Sequence, residues 1–224
     1  MIAVLDYGAG NLRSVVKAFR FIGCDPVVTA DPGELAEASA AVLPGVGAFG
    51  DAMACLKKSG LENCVSDFID SGRPFLGICL GLQMLFEESE EAPGVPGLGI
   101  LKGRICRIPE TPGLKIPHIG WNSLDLKDRG GLFEGLEEHP YVYFVHSYYL
   151  KASDRAVVTA TAEYGVTIDA SVRRGNLFAT QFHPEKSGRT GLRMLRNFAA
   201  EIGKEASPCM PNESSRVSTS TAEG

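Results

Sequence analysis

The first part of the chain alternates short apolar runs with stretches whose apolar residues recur at helical spacing. Residues 2–5, Ile-Ala-Val-Leu, read as a buried strand ending in the turn Gly8-Ala9-Gly10-Asn11. Leu12, Val15, Val16 and Phe19 then fall at i, i+3, i+4 and i+7, the stripe of an amphipathic helix, and Gly23 closes it. Further runs of strand length follow at 26–29, 41–44 and 75–78, separated by helical stretches around 34–39 and 61–71. Strands alternating with helices in this way predict an α/β fold, a parallel sheet with helices on both faces.

Beyond residue 98 the pattern turns strand-rich. Segments 100–105, 122–126, 141–145, 156–160 and 167–172 are punctuated by turn residues, which predicts an antiparallel or mixed extension of the parallel core. Residues 177–182 read as a last strand that delivers His183 to its C-terminal edge, where ligands gather in open α/β sheets. Leu192, Leu195, Arg196 and Ala199 mark a closing helix. The chain thus divides into one domain over 1–203 and a Ser/Thr/Pro/Glu-rich tail over 204–224, read as disordered.

Composition narrows the function. At 224 residues and 44% hydrophobic content there is material for one substantial core. A formal net charge of −5 with scattered Lys and Arg leaves no electrostatic footprint for nucleic acid or an anionic membrane, so a small-molecule substrate is expected. The start lacks the basic opening of a signal peptide, and no later apolar stretch approaches a membrane span. Six cysteines, at 24, 55, 64, 79, 106 and 209, show no paired CxxC spacing and fit a reducing cytoplasm. Of these, Cys24, Cys55, Cys64 and Cys106 lie in or beside apolar segments and are expected to be buried small hydrophobes. Four histidines without metal-ligand spacing predict no metal site, and no cofactor is expected. The cluster Gly8-Ala9-Gly10 superficially fits a dinucleotide loop, but Arg13 stands where the third glycine belongs, so it reads as a turn.

The chemistry concentrates at Gly77-Ile78-Cys79-Leu80-Gly81, between an apolar run and the helix-like 82–86. A cysteine at a sharp strand-to-helix turn, with glycines two residues away on each side, projects its sulfur above the sheet as a nucleophile. Downstream, His183-Pro184-Glu185 offers a base and a carboxylate to orient it. Pro184 disfavours a helical His183, so the segment is expected to be extended, with His183 and Glu185 pointing the same way. Taken singly, Cys79 could be a core cysteine and Glu185 a surface charge; the combination is far more specific than its parts. His118, His139 and His146 lack such a pattern and read as structural or surface residues, His146 near the site but not its base. For developing negative charge, the amide of Leu80 is one expected donor and the turn Pro44-Gly45-Val46-Gly47 a source of the second. Glycines flanking Val46 leave its peptide plane free to rotate, which predicts a conditional second donor and low activity until a partner or ligand settles the loop.

The runs Gly77-Ile78-Cys79-Leu80-Gly81-Leu82-Gln83 and Gln181-Phe182-His183-Pro184-Glu185-Lys186-Ser187 resemble those of the triad-type, class I glutamine amidotransferases. Segments 6–12, 44–49, 117–122 and 144–149 are similar, more narrowly, to the branch that forms glutaminase subunits of imidazole glycerol phosphate synthase. The resemblance spans residues 1–202 and implies a flavodoxin-like fold. It further implies that Cys79 attacks the amide of L-glutamine, that His183 protonates departing ammonia, that Glu185 orients His183, and that water then hydrolyses the thioester. Gly47, Gln83 and the main chain around Ser147 and Tyr148 match positions that hold glutamine, with Val46, Gly47 and Leu80 at the oxyanion hole. The implied partner is a (β/α)8-barrel cyclase subunit, as a heterodimer, which uses the ammonia to make imidazole glycerol phosphate and AICAR in histidine biosynthesis. Asn11, Trp121, Asn122 and Lys186 match motifs toward that interface, although a core position suits the lone tryptophan equally. The competing readings are a glutaminase subunit of another amidotransferase, a cysteine hydrolase on the same fold, and a binding subunit with a dead site.

Overall fold

Ile2 and Val4 point to one side of strand β1 (Ile2–Leu5) and Ala3 and Leu5 to the other, and each pair enters a different core. The computed structural model describes residues 1–204; the expected disordered tail over 204–224, Cys209 included, lies outside the described residues except for Lys204. After β1 the chain runs α1 (Leu12–Phe21), β2 (Val27–Thr29), α2 (Pro32–Glu37), β3 (Ala40–Gly45), α3 (Phe49–Lys58), α4 (Leu61–Asp70), β4 (Phe75–Cys79) and α5 (Leu80–Met84). Then come β5 (Glu88–Ser89), β6 (Gly103–Arg107), β7 (His118–Ser123), β8 (Asp125–Leu126), β9 (Tyr141–His146), β10 (Tyr148–Ala152), β11 (Val158–Glu163), β12 (Thr167–Arg174), β13 (Leu177–Thr180) and α6 (Gly188–Ala200).

The main sheet has eight strands in the order β2-β1-β3-β4-β13-β12-β11-β8. The first five are parallel and the remaining pairings antiparallel, as the sequence pattern predicts. A three-stranded sheet β10-β6-β5 and the pair β7-β9 stand beside it. On one face, Leu5, Leu43 and Phe75 pack with Leu35 of α2, Leu56 of α3 and Phe68 of α4. On the other, Val4, Val42 and Leu76 meet Val15 and Phe19 of α1 and Leu195 and Phe198 of α6. Each such fully buried side chain contributes about 1.5–3 kcal/mol, so both helical layers are held by burial and not by helix propensity.

Several boundaries differ from expectation for identifiable reasons. The stretch 34–39 begins earlier, as α2, because Asp31 accepts from the amides of Gly33 and Glu34 while Pro32 occupies the first turn. α3 is an addition: Phe49, Ala52, Met53 and Leu56 do recur at helical spacing, but Gly50 and Ala54 dilute the apolar signal. Strand 122–126 is really two, because the chain leaves the β7-β9 pair at fully buried Leu124 and joins the main sheet as β8. Likewise, 100–105 shifts to β6, and the strand expected over 156–160 starts two residues later, as β11, behind a 3-10 turn capped by Asp154. β10 goes unpredicted because it follows β9 after the single residue Ser147 and enters another sheet.

Candidate active site

The register of three neighbouring parallel strands assembles the site. Gly45 at the end of β3 pairs with Cys79 at the end of β4, and Ile78 pairs with Thr180 at the end of β13. The segment 181–183 therefore leaves the sheet beside the elbow. Among the described residues, Cys79 is the one non-glycine with positive φ (φ 55°, ψ −106°), a conformation costing about 1–3 kcal/mol. The glycines around it permit close approach: a Cβ on Gly77 would stand 2.9 Å from the carbonyl oxygen of Gly81, and one on Gly81 would stand 1.9 Å from that of Leu43. One on Gly45 would stand 2.7 Å from Leu80 Cβ. The helix over 82–86 is in fact α5, five residues beginning at Leu80, so its macrodipole is small and the useful donor is the Leu80 N–H itself.

His183 is extended (φ −103°, ψ 98°), but Pro184–Lys186 forms a 3-10 turn, which corrects the expectation of an extended His-Pro-Glu segment. Proline's fixed φ suits the first position of such a turn as well as an extended chain. The turn still brings Glu185 Oε1 to 2.8 Å from His183 Nδ1, with both side chains buried. His183 is clamped to β9: its N–H donates to the Tyr143 carbonyl, and Ser187 Oγ accepts from the Tyr143 N–H while donating to the His183 carbonyl. Burial works against a charged His183, but Cys79 and Glu185 outweigh it and hold the imidazolium up to about 9. Nε2 makes no hydrogen bond of ordinary geometry, and Cys79 stands near enough to favour the protonated ring.

A cavity of about 360 Å³ opens at this edge, lined by Val46, Gly47, Cys79, Leu80, Gln83, Glu91, Val145, His146, Ser147, Tyr148, His183 and Lys186. Such a volume suits a small molecule. Every residue that the sequence assigns to catalysis, oxyanion binding or substrate binding lies on its wall, except Glu185, which stands behind His183. Of the expected interface residues, Lys186 lines the cavity, Trp121 is 56% exposed, and Asn11 occupies the N-cap position of α1 without a side-chain cap bond. Asn122 lies on the opposite face of β7 from Trp121, its amide bonded to the Glu163 carbonyl and the Ser123 N–H.

The loop after β3 is held at both ends. Tyr7 Oη donates to the Pro44 carbonyl at 3.0 Å, and Glu91 Oε2 accepts from the Phe49 N–H at 2.8 Å. Between these anchors Val46 is exposed and Gly47 has φ +102°. On the far wall, His146 donates through Nδ1 to the Tyr148 carbonyl, and its Nε2 therefore accepts from His118 Nδ1. His118 is stacked between Tyr164 and Phe144. Burial pushes both rings down, His118 to about 4 and His146 to about 3, so both are neutral and neither is a base at neutral pH.

Glu91 has no motif to mark it, and only the fold reveals its place on the wall. Gln181 lies inside a recognisable run, yet its side-chain partners lie 98 and 102 residues away in sequence. Of the cysteines expected to be buried, Cys106 is; Cys24, Cys55 and Cys64 are only partly covered. Among the described residues no cluster suited to a metal ion occurs, and no helix is long and apolar enough to cross a membrane.

The family model for class-I glutamine amidotransferases matches residues 3–202. The chain is 56% identical over 202 residues to the imidazole glycerol phosphate synthase subunit HisH of Methanothermobacter thermautotrophicus, covering 90% of this chain and 99% of that protein. It is 52% identical over 203 residues to the HisH subunit of Syntrophotalea carbinolica, covering 88% and 98%. Among solved structures, a crystal structure of a glutamine amidotransferase superposes with TM-score 0.71 at 23% identity over 91% of this chain and 99% of that one. PurLQS from Thermotoga maritima does so with TM-score 0.70 at 20% identity over 90% and 98%. At those identities the likeness is one of fold.

Proposed function

Because the chain belongs to the class-I glutamine amidotransferase family, we propose that Cys79, His183 and Glu185 form its catalytic triad. The chain is a glutaminase subunit of the imidazole glycerol phosphate synthase type, in histidine biosynthesis. The observation that carries the triad is the pair of neighbouring parallel strands that end in Cys79 and lead to His183, with Glu185 2.8 Å behind the imidazole.

In the mechanism this geometry supports, Cys79 Sγ adds to the side-chain carboxamide carbon of L-glutamine. The N–H of Leu80 and a peptide N–H of the Val46-Gly47 turn receive the oxyanion. His183, protonated at neutral pH because Cys79 and Glu185 outweigh its burial, gives its Nε2 proton to the departing nitrogen, and ammonia leaves with a thioester in place. Neutral His183 then takes a proton from water, whose oxygen attacks the thioester; collapse releases glutamate and restores the Cys79 sulfur. Glu185 accepts from Nδ1–H and holds the ring in place, so that Nε2 does the work. Gly47, Gln83, Ser147 and Tyr148 hold the substrate.

The ammonia passes to a cyclase subunit in a heterodimer. Ile119, Trp121 and Tyr141 are each more than half exposed, and the β7-β9 register places all three on one face, a patch that suits a protein partner. The unpaired cysteine usage supports a cytoplasmic placement. The test is ammonia release from free glutamine with and without the cyclase and its nucleotide ligand. Stimulation by the pair, abolished by Cys79→Ala, is the expected result; release from peptides or esters instead, or activity surviving Cys79→Ala, would overturn the assignment.

A further inference from the structure

The side chain of Gln181 is completely buried, yet both ends of its carboxamide are used. Gln83 Nε2 lies 3.1 Å from the Tyr148 carbonyl oxygen and 3.1 Å from Gln181 Oε1. Gln181 Nε2 in turn lies 3.7 Å from Cys79 Sγ, within reach for a sulfur acceptor. The polarity of this chain is fixed by its first member. A carbonyl can only accept, so Gln83 must turn its NH2 toward Tyr148; its second hydrogen then requires an oxygen, so Gln181 must present Oε1 to Gln83 and its NH2 to the sulfur. His146 Nδ1 donates to the same Tyr148 carbonyl at 2.9 Å, which holds that end in place.

We propose that Gln181 is a positioning residue of the reaction: its carboxamide N–H fixes the Cys79 sulfur and supports its negative charge, as the last link of a polar chain that starts at the substrate-binding wall, at Tyr148. A thiolate gains from a donor that a thiol scarcely needs, because bonds to a charged acceptor are the stronger ones. The backbone of Gln181 is independently pinned, its N–H donating to the Ala170 carbonyl, so the side chain has a firm base from which to act. The chain also connects two jobs otherwise separate: Gln83, on the cavity wall, and Cys79, the attacking group, share one intermediate amide.

The inference rests on Cys79 being the nucleophile, and the experiment separates the two. In the complete chain with its cyclase partner, Gln181→Leu removes the donor at similar volume, and Gln181→Glu replaces the NH2 with an oxygen that cannot serve the thiolate. Both are expected to lower kcat by about tenfold or more, the glutamate more severely, with KM for glutamine changed by less than about threefold. Alkylation of Cys79 by iodoacetamide at neutral pH, read on its own peptide by mass spectrometry, is expected to slow by a similar factor. An architectural Gln181 would instead lower the melting temperature while kcat and alkylation of the folded protein stayed at wild-type values, and that result, or a loss confined to KM, would overturn the proposal. Should neither variant fold, Gln181→Asn keeps the amide but shortens its reach, and wild-type kcat there would overturn it equally. Cys79→Ala that remains active would overturn the catalytic assignment; inactive Cys79→Ala beside unaffected Gln181 variants would overturn this inference alone.

Discussion

Glu185→Gln tests the electrostatics on which the proposed chemistry depends. Oε1 and Nδ1 lie 2.8 Å apart between two buried side chains, where solvent screens little. Moving His183 from an ordinary 6.5 to about 9 favours the imidazolium by about 3 kcal/mol, and Cys79 and Glu185 produce that gain against the opposing effect of burial. Glutamine keeps an oxygen for the Nδ1–H, so the ring orientation survives while one of the two favourable charges is lost. The basic limb of the kcat profile, which reports loss of the His183 proton, is therefore expected to move down from near 9 by about one to two pH units, with kcat at pH 8 falling about two- to tenfold. Stability should follow the same group. A histidine raised by folding contributes fully below 6.5 and loses that contribution as pH rises through about 9, so wild type is expected to lose up to about 3 kcal/mol across this window and the variant distinctly less. Ammonia release against pH at saturating glutamine, with urea unfolding at both ends of the window, measures both. A basic limb and a stability slope unchanged in Glu185→Gln would refute the reasoning.

Four further outcomes are expected. Gly81→Ala, whose Cβ would stand 1.9 Å from the Leu43 oxygen, should destabilise by more than about 3 kcal/mol in thermal melting. Gly47→Ala meets nothing within 4 Å and pays only for its φ, so about 1–2 kcal/mol of stability goes while ammonia release falls further than that loss explains. His118 is held down to about 4, so the stability it gives is complete above 6.5 and lost as pH falls through about 4; His118→Asn, which retains a donor near the Nδ1 position, should flatten that acid limb of urea unfolding. Trp121→Ala, at a 56% exposed position, should weaken cyclase binding in calorimetric titration by about tenfold or more while the melting temperature of the isolated chain stays within a degree or two.

The sheet and its nucleophile are legible in the sequence because their determinants are local. The alternation of apolar runs with helical stripes is enough to predict that β1, β3 and β4 run parallel, and the Gly-x-Cys-x-Gly spacing marks the elbow at which Gly77 and Gly81 pack closely. What escapes is long-range. Glu91 reaches the cavity through a bond to an amide 42 residues away, and Gln181 through partners on two other segments. The His-Pro-Glu turn shows a subtler failure: Pro184 fits an extended strand and a 3-10 turn equally, and Ser187, bridging His183 and Tyr143, joins His183 to β9. In the second half of the chain, Leu124 and Ser147 are points where the backbone changes sheets, and a hydrophobic pattern carries no mark of which sheet a strand joins.

The loop over 45–48 is a span with two abutments, Tyr7 gripping the Pro44 carbonyl and Glu91 gripping the Phe49 amide. So held, it can answer a ligand by rotating its peptide planes about the line between its ends, but it cannot swing away as a flap. The same constraint governs its length. Surface loops usually absorb an extra residue at little cost, yet here one more or one fewer would pull Pro44 or Phe49 from its anchor. An exposed stretch is thereby made as intolerant of insertion as a core strand.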